Sequence, residues 1–282
     1  IGVSALSQQI ARLENELAIR LLQRTSRGVT PTSAGLAFYS QAQLALRHAD
    51  DAILAAREAR LSGHVSVGMA PSTASVLGVP FINAMRESYP DVRLHLVESL
   101  SGNLERMINT RQLDLAIVFQ QEKILRWSAR PVLEERLFLI GTHALLAPLQ
   151  EDHISPDQLT SLPLIMPSQG HGLRGRLEAV CQQHHLSVEV VADIDGLALL
   201  MQAVRSGLGA TLQPGAAISH LDHQALRVID VVNPILSRPN FLVSLSDDEL
   251  TPAGLAARVI LSKVMRQLVE SDRWPGATLY AH

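Results

Sequence analysis

Six consecutive residues, Gly170-His171-Gly172-Leu173-Arg174-Gly175, fit G-x-G-x-x-G, and Asp195 lies twenty residues after Gly175. In a dinucleotide site such glycines let the backbone approach a pyrophosphate at a helix N-terminus, and the acidic residue takes the ribose. Here Pro167-Ser168-Gln169 separate the preceding strand from the first glycine, whereas that chemistry needs a tight turn straight off the strand. The segment reads better as a cleft loop opening a helix, a place suited to an anion. Arg174 and Arg176 either reach a ligand carboxylate or lie on an exposed helix face. His220-Leu221-Asp222-His223 offers two imidazoles, but no third ligand is positioned by sequence, so a surface loop is expected and no metal. Cys181 is the only cysteine, which excludes an intrachain disulfide and a cysteine zinc site. Its place among Leu177, Val180 and His184 reads as a buried thiol. The sequence contains no H-E-x-x-H, G-x-S-x-G or P-loop, so no cofactor is expected.

The elements around these residues repeat a plan. Strand Val65–Met69, loop Pro71–Ser75, helix Val76–Ser88 and strand Val92–Glu98 form one unit. Strand Leu164–Met166, loop Pro167–Gly172, helix Leu173–His185 and strand Val188–Asp193 form another. Each is followed by a helix and a further strand, Leu104–Thr110 with Leu113–Val118 and Leu197–Ser206 with Gly209–Leu212. Pro71 and Pro167 are 96 residues apart. Strands Arg130–Leu133, Leu137–Gly141 and Asn240–Leu245 look like crossovers between two α/β lobes, and such lobes suit a ligand held in the cleft between them. In open α/β sheets ligands bind at the C-terminal strand ends. That edge collects Ser72 and Thr73 from one loop and Pro167, Ser168 and Gln169 from the other. Ser101 and Gly102 open the helix after Glu98 and offer a hydroxyl and backbone N–H groups, and Phe119 supplies an apolar wall. A small organic anion held by Ser72, Thr73, Ser101 and Gln169 is the expectation. The alternative is that these hydroxyls only cap helices. The tail Trp274–His282 has no periodicity and is expected to be loose.

Two helical patterns precede the lobes. Leu6, Ile10, Leu13, Leu17 and Leu21 recur at intervals of three and four, so one face of the first is apolar. Gly28, Pro31 and a cap at Thr32 or Ser33 then punctuate a turn. The second pattern runs from Ser33 to Arg60. Tyr39, Ala42, Leu46, Ala49, Ile53 and Ala56 follow a 3-4-3-4-3 spacing, a heptad seam that favours pairing with a second chain. Its alternative partner is its own domain. Leu61-Ser62-Gly63-His64 breaks the pattern as a hinge about which the lobes are expected to turn.

Residues 1–60 hold seven arginines against five acidic residues, +2, so the remainder of a chain of net charge −3 carries −5. Apolar content of 47% and charge of 18% describe a soluble globular protein. No apolar run is long enough to span a membrane. No signal peptide is expected.

Several of these segments resemble the LysR-type transcriptional regulators. They are Ser4-Ala5-Leu6-Ser7-Gln8-Gln9-Ile10-Ala11-Arg12-Leu13-Glu14, then Arg24-Thr25, then Gly28-Val29-Thr30-Pro31-Thr32 with Ala34-Gly35. Gly63-x-Val65-x-Val67-Gly68, Leu113-Asp114-Leu115-Ala116-Ile117 and Gly207-Leu208-Gly209 are similar too. The wording of Arg24–Gly35 and Pro131–Gly141 is similar to the nitrogen assimilation control branch of that family. The resemblance implies an α+β multi-domain chain. Residues 1–31 would be a partial winged helix-turn-helix, 32–61 a linker and dimerisation helix, and 62–282 a two-lobed effector-binding domain of the periplasmic-binding-protein type. Lobe I would take about 64–132 plus 239–271 and lobe II about 133–238. The family has about twenty more residues before the position of Ile1, so an N-terminal piece is expected to be missing. The family also often has Gln-Pro or Gln-Ser where Val3-Ser4 stand, and Val3 cannot donate a hydrogen bond to a base.

The helix Ser4–Glu16 would enter the DNA major groove and read bases with Ser4, Ser7, Gln8 and Arg12. Arg24, Thr25, Arg27 and Thr30 would contact the backbone from the wing. The resemblance implies a cytoplasmic, non-enzymatic regulator, a homodimer or homotetramer on double-stranded operator DNA, with a small-molecule effector and RNA polymerase as further partners. The α/β lobes alone leave a solute-binding protein or a nucleotide-dependent enzyme as alternatives.

Overall fold

The computed structural model describes all residues except 1–2, 26–27, 58–60, 120–126, 170–171, 219–223, 247–248 and 281–282. Helix α1, Val3–Leu17, ends at Ala18, which takes a positive φ of 52°. The Glu14 carboxylate then accepts the backbone N–H of Leu21 (2.7 Å) and of Leu22 (2.8 Å). Those two bonds fix the path from the helix into a hairpin of β1 (Leu22–Thr25) and β2 (Gly28–Pro31). Thr32 ends the hairpin and caps the next helix, because its Oγ1 accepts Gly35 N–H at 2.9 Å. A Cβ on Gly35 would stand 2.0 Å from the Leu21 carbonyl oxygen, so only glycine allows this approach. Helix α2 runs Ser33–Arg57, 25 residues and about 38 Å.

The first lobe begins with β3 (Gly63–Met69), α3 (Pro71–Ser88), β4 (Val92–Glu98), α4 (Ser101–Asn109) and β5 (Leu115–Val118). Its parallel strands lie in the order β4-β3-β5. The expected loop Pro71–Ser75 is instead the first turn of α3. Ala70 is extended and Pro71 takes the first helical position, where its fixed φ suits a helix and its missing N–H costs nothing.

Two of the three expected crossover strands, Arg130–Leu133 and Leu137–Gly141, are one element, β6 (Ser128–Thr142), of 15 residues. The second lobe adds β7 (His153–Ile154), β8 (Pro163–Met166), α5 (Gly172–Gln183), β9 (Glu189–Asp193), α6 (Leu197–Arg205), β10 (Thr211–Pro214) and β11 (Leu226–Val231). The chain returns through β12 (Ser237–Ser244) into α7 (Pro252–Glu270) and ends in β13 (Ala277–Leu279). β6 therefore serves both lobes. Its N-terminal half pairs with β12, which in turn pairs with β5, and its C-terminal half pairs with β10 and β11.

Each lobe has its own core. Val65, Val67, Leu77, Phe81 and Met85 pack with Ala257, Leu261 and Met265 of α7 in the first. Leu139, Leu164, Leu177, Leu212 and Ile229 pack in the second. Each such large side chain contributes about 1.5–3 kcal/mol by leaving water.

The C-terminal segment is not loose, contrary to the expectation. Trp274 is 1% exposed, and β13 pairs with Leu133, Glu134 and Glu135 of β6. A Cβ on Gly215 would lie 1.6 Å from the Pro275 carbonyl oxygen, so this strap is seated on a position that tolerates no side chain.

Candidate functional site

The first turns of α3 and α4 and the loop after β8 meet at the C-terminal strand ends. Ser72, Thr73 and Ser101 are all buried there. Thr73 Oγ1 and Ser101 Oγ have no hydrogen-bond partner among the described residues, and neither has Asn240 Oδ1. A buried hydroxyl without a partner costs about 1–3 kcal/mol, so each of the two needs an explanation. Pro167 is buried beside them, whereas Gly102 and Gln169 stand exposed at the rim. Ser168 is committed elsewhere: its N–H and Oγ donate to Asp195 Oδ1 at 2.9 and 2.8 Å.

Charge enters this site from two residues that the motif reading passed over. Arg238 of β12 and Glu135 of β6 are cross-strand neighbours and form an ion pair at 2.9 Å, 5% and 0% exposed. Arg238 also donates to Ser72 Oγ at 3.0 Å and stacks 3.7 Å from the centroid of the buried Phe119 ring. Glu135 Oε1 accepts Ala216 N–H and Trp274 Nε1–H, each at 2.7 Å, and Oε2 faces Asn240 Nδ2 at 3.5 Å. Burial lowers the Arg238 pKa, and the neighbouring Glu135 opposes the shift. The cavity between the lobes, lined by Ser72, Leu100, Pro167, Asp195, Gln213 and Arg238, holds about 30 Å³. That is about one water's share of liquid volume.

The sequence did carry a signal for the pair. Glu135 is in phase with Leu133, Leu137 and Leu139, and Arg238 with Asn240 and Leu242. A two-residue period therefore points both charges into the core. Charges so placed must find each other. Arg174 turns out to be structural: it pairs with Glu178 at 2.7 Å and Asp193 at 3.4 Å. Cys181 is 7% exposed and its pKa is raised, first by burial and then by Glu178, which suits a packed thiol. His171, His220 and His223 lie outside the described residues. Among the described residues no helix is long and apolar enough to cross a membrane.

At the other end of the chain, α1 presents Gln8 and Arg12 to solvent, one turn apart on one face, with Ser7 half-buried. Arg12 pairs with Glu16 at 3.0 Å, but both side chains are mostly exposed (83% and 61%), so the pair is easily surrendered. Thr30 is exposed on β2. Ser4, Arg24 and Thr25 are described in their backbone only, and Arg27 lies outside the described residues. On α2, Tyr39 and Leu46 are 60% and 67% exposed, Ala49 is exposed and Ala42 half-buried, while Ile53 and Ala56 are described in their backbone only. An apolar groove of about 420 Å³ lies between α1 and the start of α2, walled by Ile10, Leu13, Leu36 and Tyr39.

Comparison with known proteins joins these two ends. The LysR substrate binding domain matches residues 58–266, and the bacterial regulatory helix-turn-helix of the lysR family matches residues 1–36. The chain is 33% identical to the nitrogen assimilation regulatory protein of Escherichia coli K12 over 97% of its own length and 90% of that protein's. Its structure is similar to that of full-length OxyR from Pseudomonas aeruginosa, with a TM-score of 0.75 at 20% identity, covering 100% of this chain and 90% of that one. It is also similar to the effector binding domain of QuiR in complex with shikimate, with a TM-score of 0.63 at 16% identity, covering 73% of this chain and 98% of that one. A helix with a two-stranded hairpin, a long connecting helix and two α/β lobes about a polar cleft thus form one chain, and it belongs to the LysR family of bacterial transcriptional regulators.

Proposed function

We propose that the chain works as three parts: residues 1–31 read DNA, 32–61 pair two chains, and 62–282 bind the effector. Helix α1 enters the major groove with Ser4, Ser7, Gln8 and Arg12 at the bases, and Arg24, Thr25, Arg27 and Thr30 hold phosphates. Two chains join through α2, and a dimer of dimers spans the operator and meets RNA polymerase in the cytoplasm. Exposure of Gln8 and Arg12 on one face supports the reading. In the intact regulator, Gln8→Ala should relax sequence preference in gel shifts. Arg27→Ala should weaken all sequences alike and flatten the salt dependence by about one phosphate contact. An unchanged salt slope would remove Arg27 from the interface.

The effector is a small organic anion bound between the lobes. The observation that carries this is the pair of unpartnered buried hydroxyls, Thr73 and Ser101, each next in sequence to a residue (Ser72, Leu100) that lines the inter-lobe cavity together with the buried guanidinium of Arg238. Ser72, Thr73 and Ser101 hold the anionic group, Arg238 supplies the counter-charge, and Phe119 gives an apolar wall. Gly102, Pro167, Ser168 and Gln169 form the rim. A cavity of about 30 Å³ must open to admit such a molecule. The lobes turn on β6, which runs through both, rather than on Ser62-Gly63, which joins α2 to β3. The shikimate held by the QuiR domain is a small carboxylate and makes such acids the first probes. With an acid delivered by a thermal-shift screen, Thr73→Val and Ser101→Ala should each weaken binding by about 1–3 kcal/mol in calorimetry. Full affinity in both variants, with the fold intact, would place the effector elsewhere.

A further inference from the structure

A second concavity, of about 400 Å³, lies between α7 and the paired strands β6 and β12, and it shares no lining residue with the inter-lobe cavity. Its size falls within the range of small-molecule sites. Four cations line it, Arg130 from β6 and Arg258, Lys263 and Arg266 from α7, and no Asp or Glu is among its described lining residues. The chain as a whole has more acidic residues than basic ones, 27 against 24, so this concentration is not a reflection of composition.

The arrangement has a direction. Arg258, Ser262 and Arg266 are spaced four apart on α7 and form one row, each step about 6 Å along the axis. Lys263 and Arg266, three apart, repel one another, which costs the free helix stability. Arg258 is held in place by Ser244 Oγ at 3.2 Å. Pro131, Val132, Leu242 and Leu279 give the concavity apolar walls beside this row. Tyr280 closes one side. Its hydroxyl donates to Glu134, and its pKa is pushed up to about 12, first by burial and then by that bond, so the ring stays neutral and fixed.

We propose that this concavity is a second ligand site, for a small organic anion that joins a flat or apolar body to two or more negative charges, as a nucleotide does. A ligand with several negative charges suits Arg130, Lys263 and Arg266 together, and the apolar walls suit a body that covers them. This site is independent of the effector cleft, and the two readings fail separately.

The test is a fluorescence titration of the whole chain with trinitrophenyl-ATP, whose emission rises in apolar surroundings. Saturable binding is expected. Lys263→Gln with Arg266→Gln should weaken it at least ten-fold, and both positions are exposed, so the fold should survive. Thr73→Val in the cleft and Arg12→Gln on the reading helix should leave it unchanged. Unlabelled ATP should displace the probe at least ten-fold more effectively than inorganic pyrophosphate. The proposal is overturned if the double variant binds like the parent, if either control variant removes binding, or if pyrophosphate competes as well as ATP. A change of sedimenting mass in the double variant would also overturn it, by making the surface a contact between subunits.

Discussion

Glu135→Ala should lower the free energy of unfolding by about 3–5 kcal/mol in urea melts followed by tryptophan fluorescence. The substitution leaves the Arg238 guanidinium buried without its counter-charge. It also strands the N–H groups of Ala216 and Trp274, which share one carboxylate oxygen. Arg238→Met should cost less, because Glu135 would keep those two donors and Asn240. The order of the two variants is therefore the informative result. Equal losses would mean that the ion pair, and not the network around the carboxylate, sets the cost. A loss under about 1 kcal/mol in Glu135→Ala would show that water replaces the missing oxygens and that the site is wetter than its burial implies.

Leu46→Glu should convert the protein to single chains in sedimentation experiments, and Ile53→Glu should do the same. Leu46 is 67% exposed and Tyr39 60%, so the described residues of their own chain leave both largely uncovered. A two-fold contact counts every substitution twice. At about 1.5–3 kcal/mol for each leucine returned to water, the pair loses about 3–6 kcal/mol, or roughly 10²- to 10⁴-fold in dissociation constant. Operator binding should fall in step, since one chain grips only half a site. An unchanged mass for both variants would mean that α2 covers these residues within its own chain and that the seam is not the dimer contact.

What could be read from the sequence followed from periodicity. The helical pattern through Leu6, Ile10 and Leu13 and the cap at Thr32 appear within a residue or two of where spacing placed them. So do the alternating strands that became β3 and β4. Ser72 and Pro167 both line the inter-lobe cavity, because each follows the C-terminal end of a parallel strand. Long-range pairing was harder to see. Arg238 and Glu135 are 103 residues apart, and neither belongs to a motif. Only the phase of each strand, taken with the need for a buried charge to have a partner, could have joined them. The C-terminal strap left still less trace. A three-residue strand completing an existing edge needs no periodicity of its own, and a lone tryptophan does not announce where it will insert.

The Glu135 network also sets an order on synthesis. Its carboxylate leaves the ribosome 139 residues before Trp274, the last of its donors. At roughly 5–20 residues per second, the interval is about 7–28 s. For the first 103 of those residues β6 has neither β12 nor Arg238 beside it, for all 139 it lacks β13, and its long edge is open to any strand it meets. Early termination anywhere in the second lobe would leave the nascent chain in that state. The seating of Trp274 against Glu135 is thus a completion mark, and quality control in the cell would have an unfinished sheet to recognise until it is set.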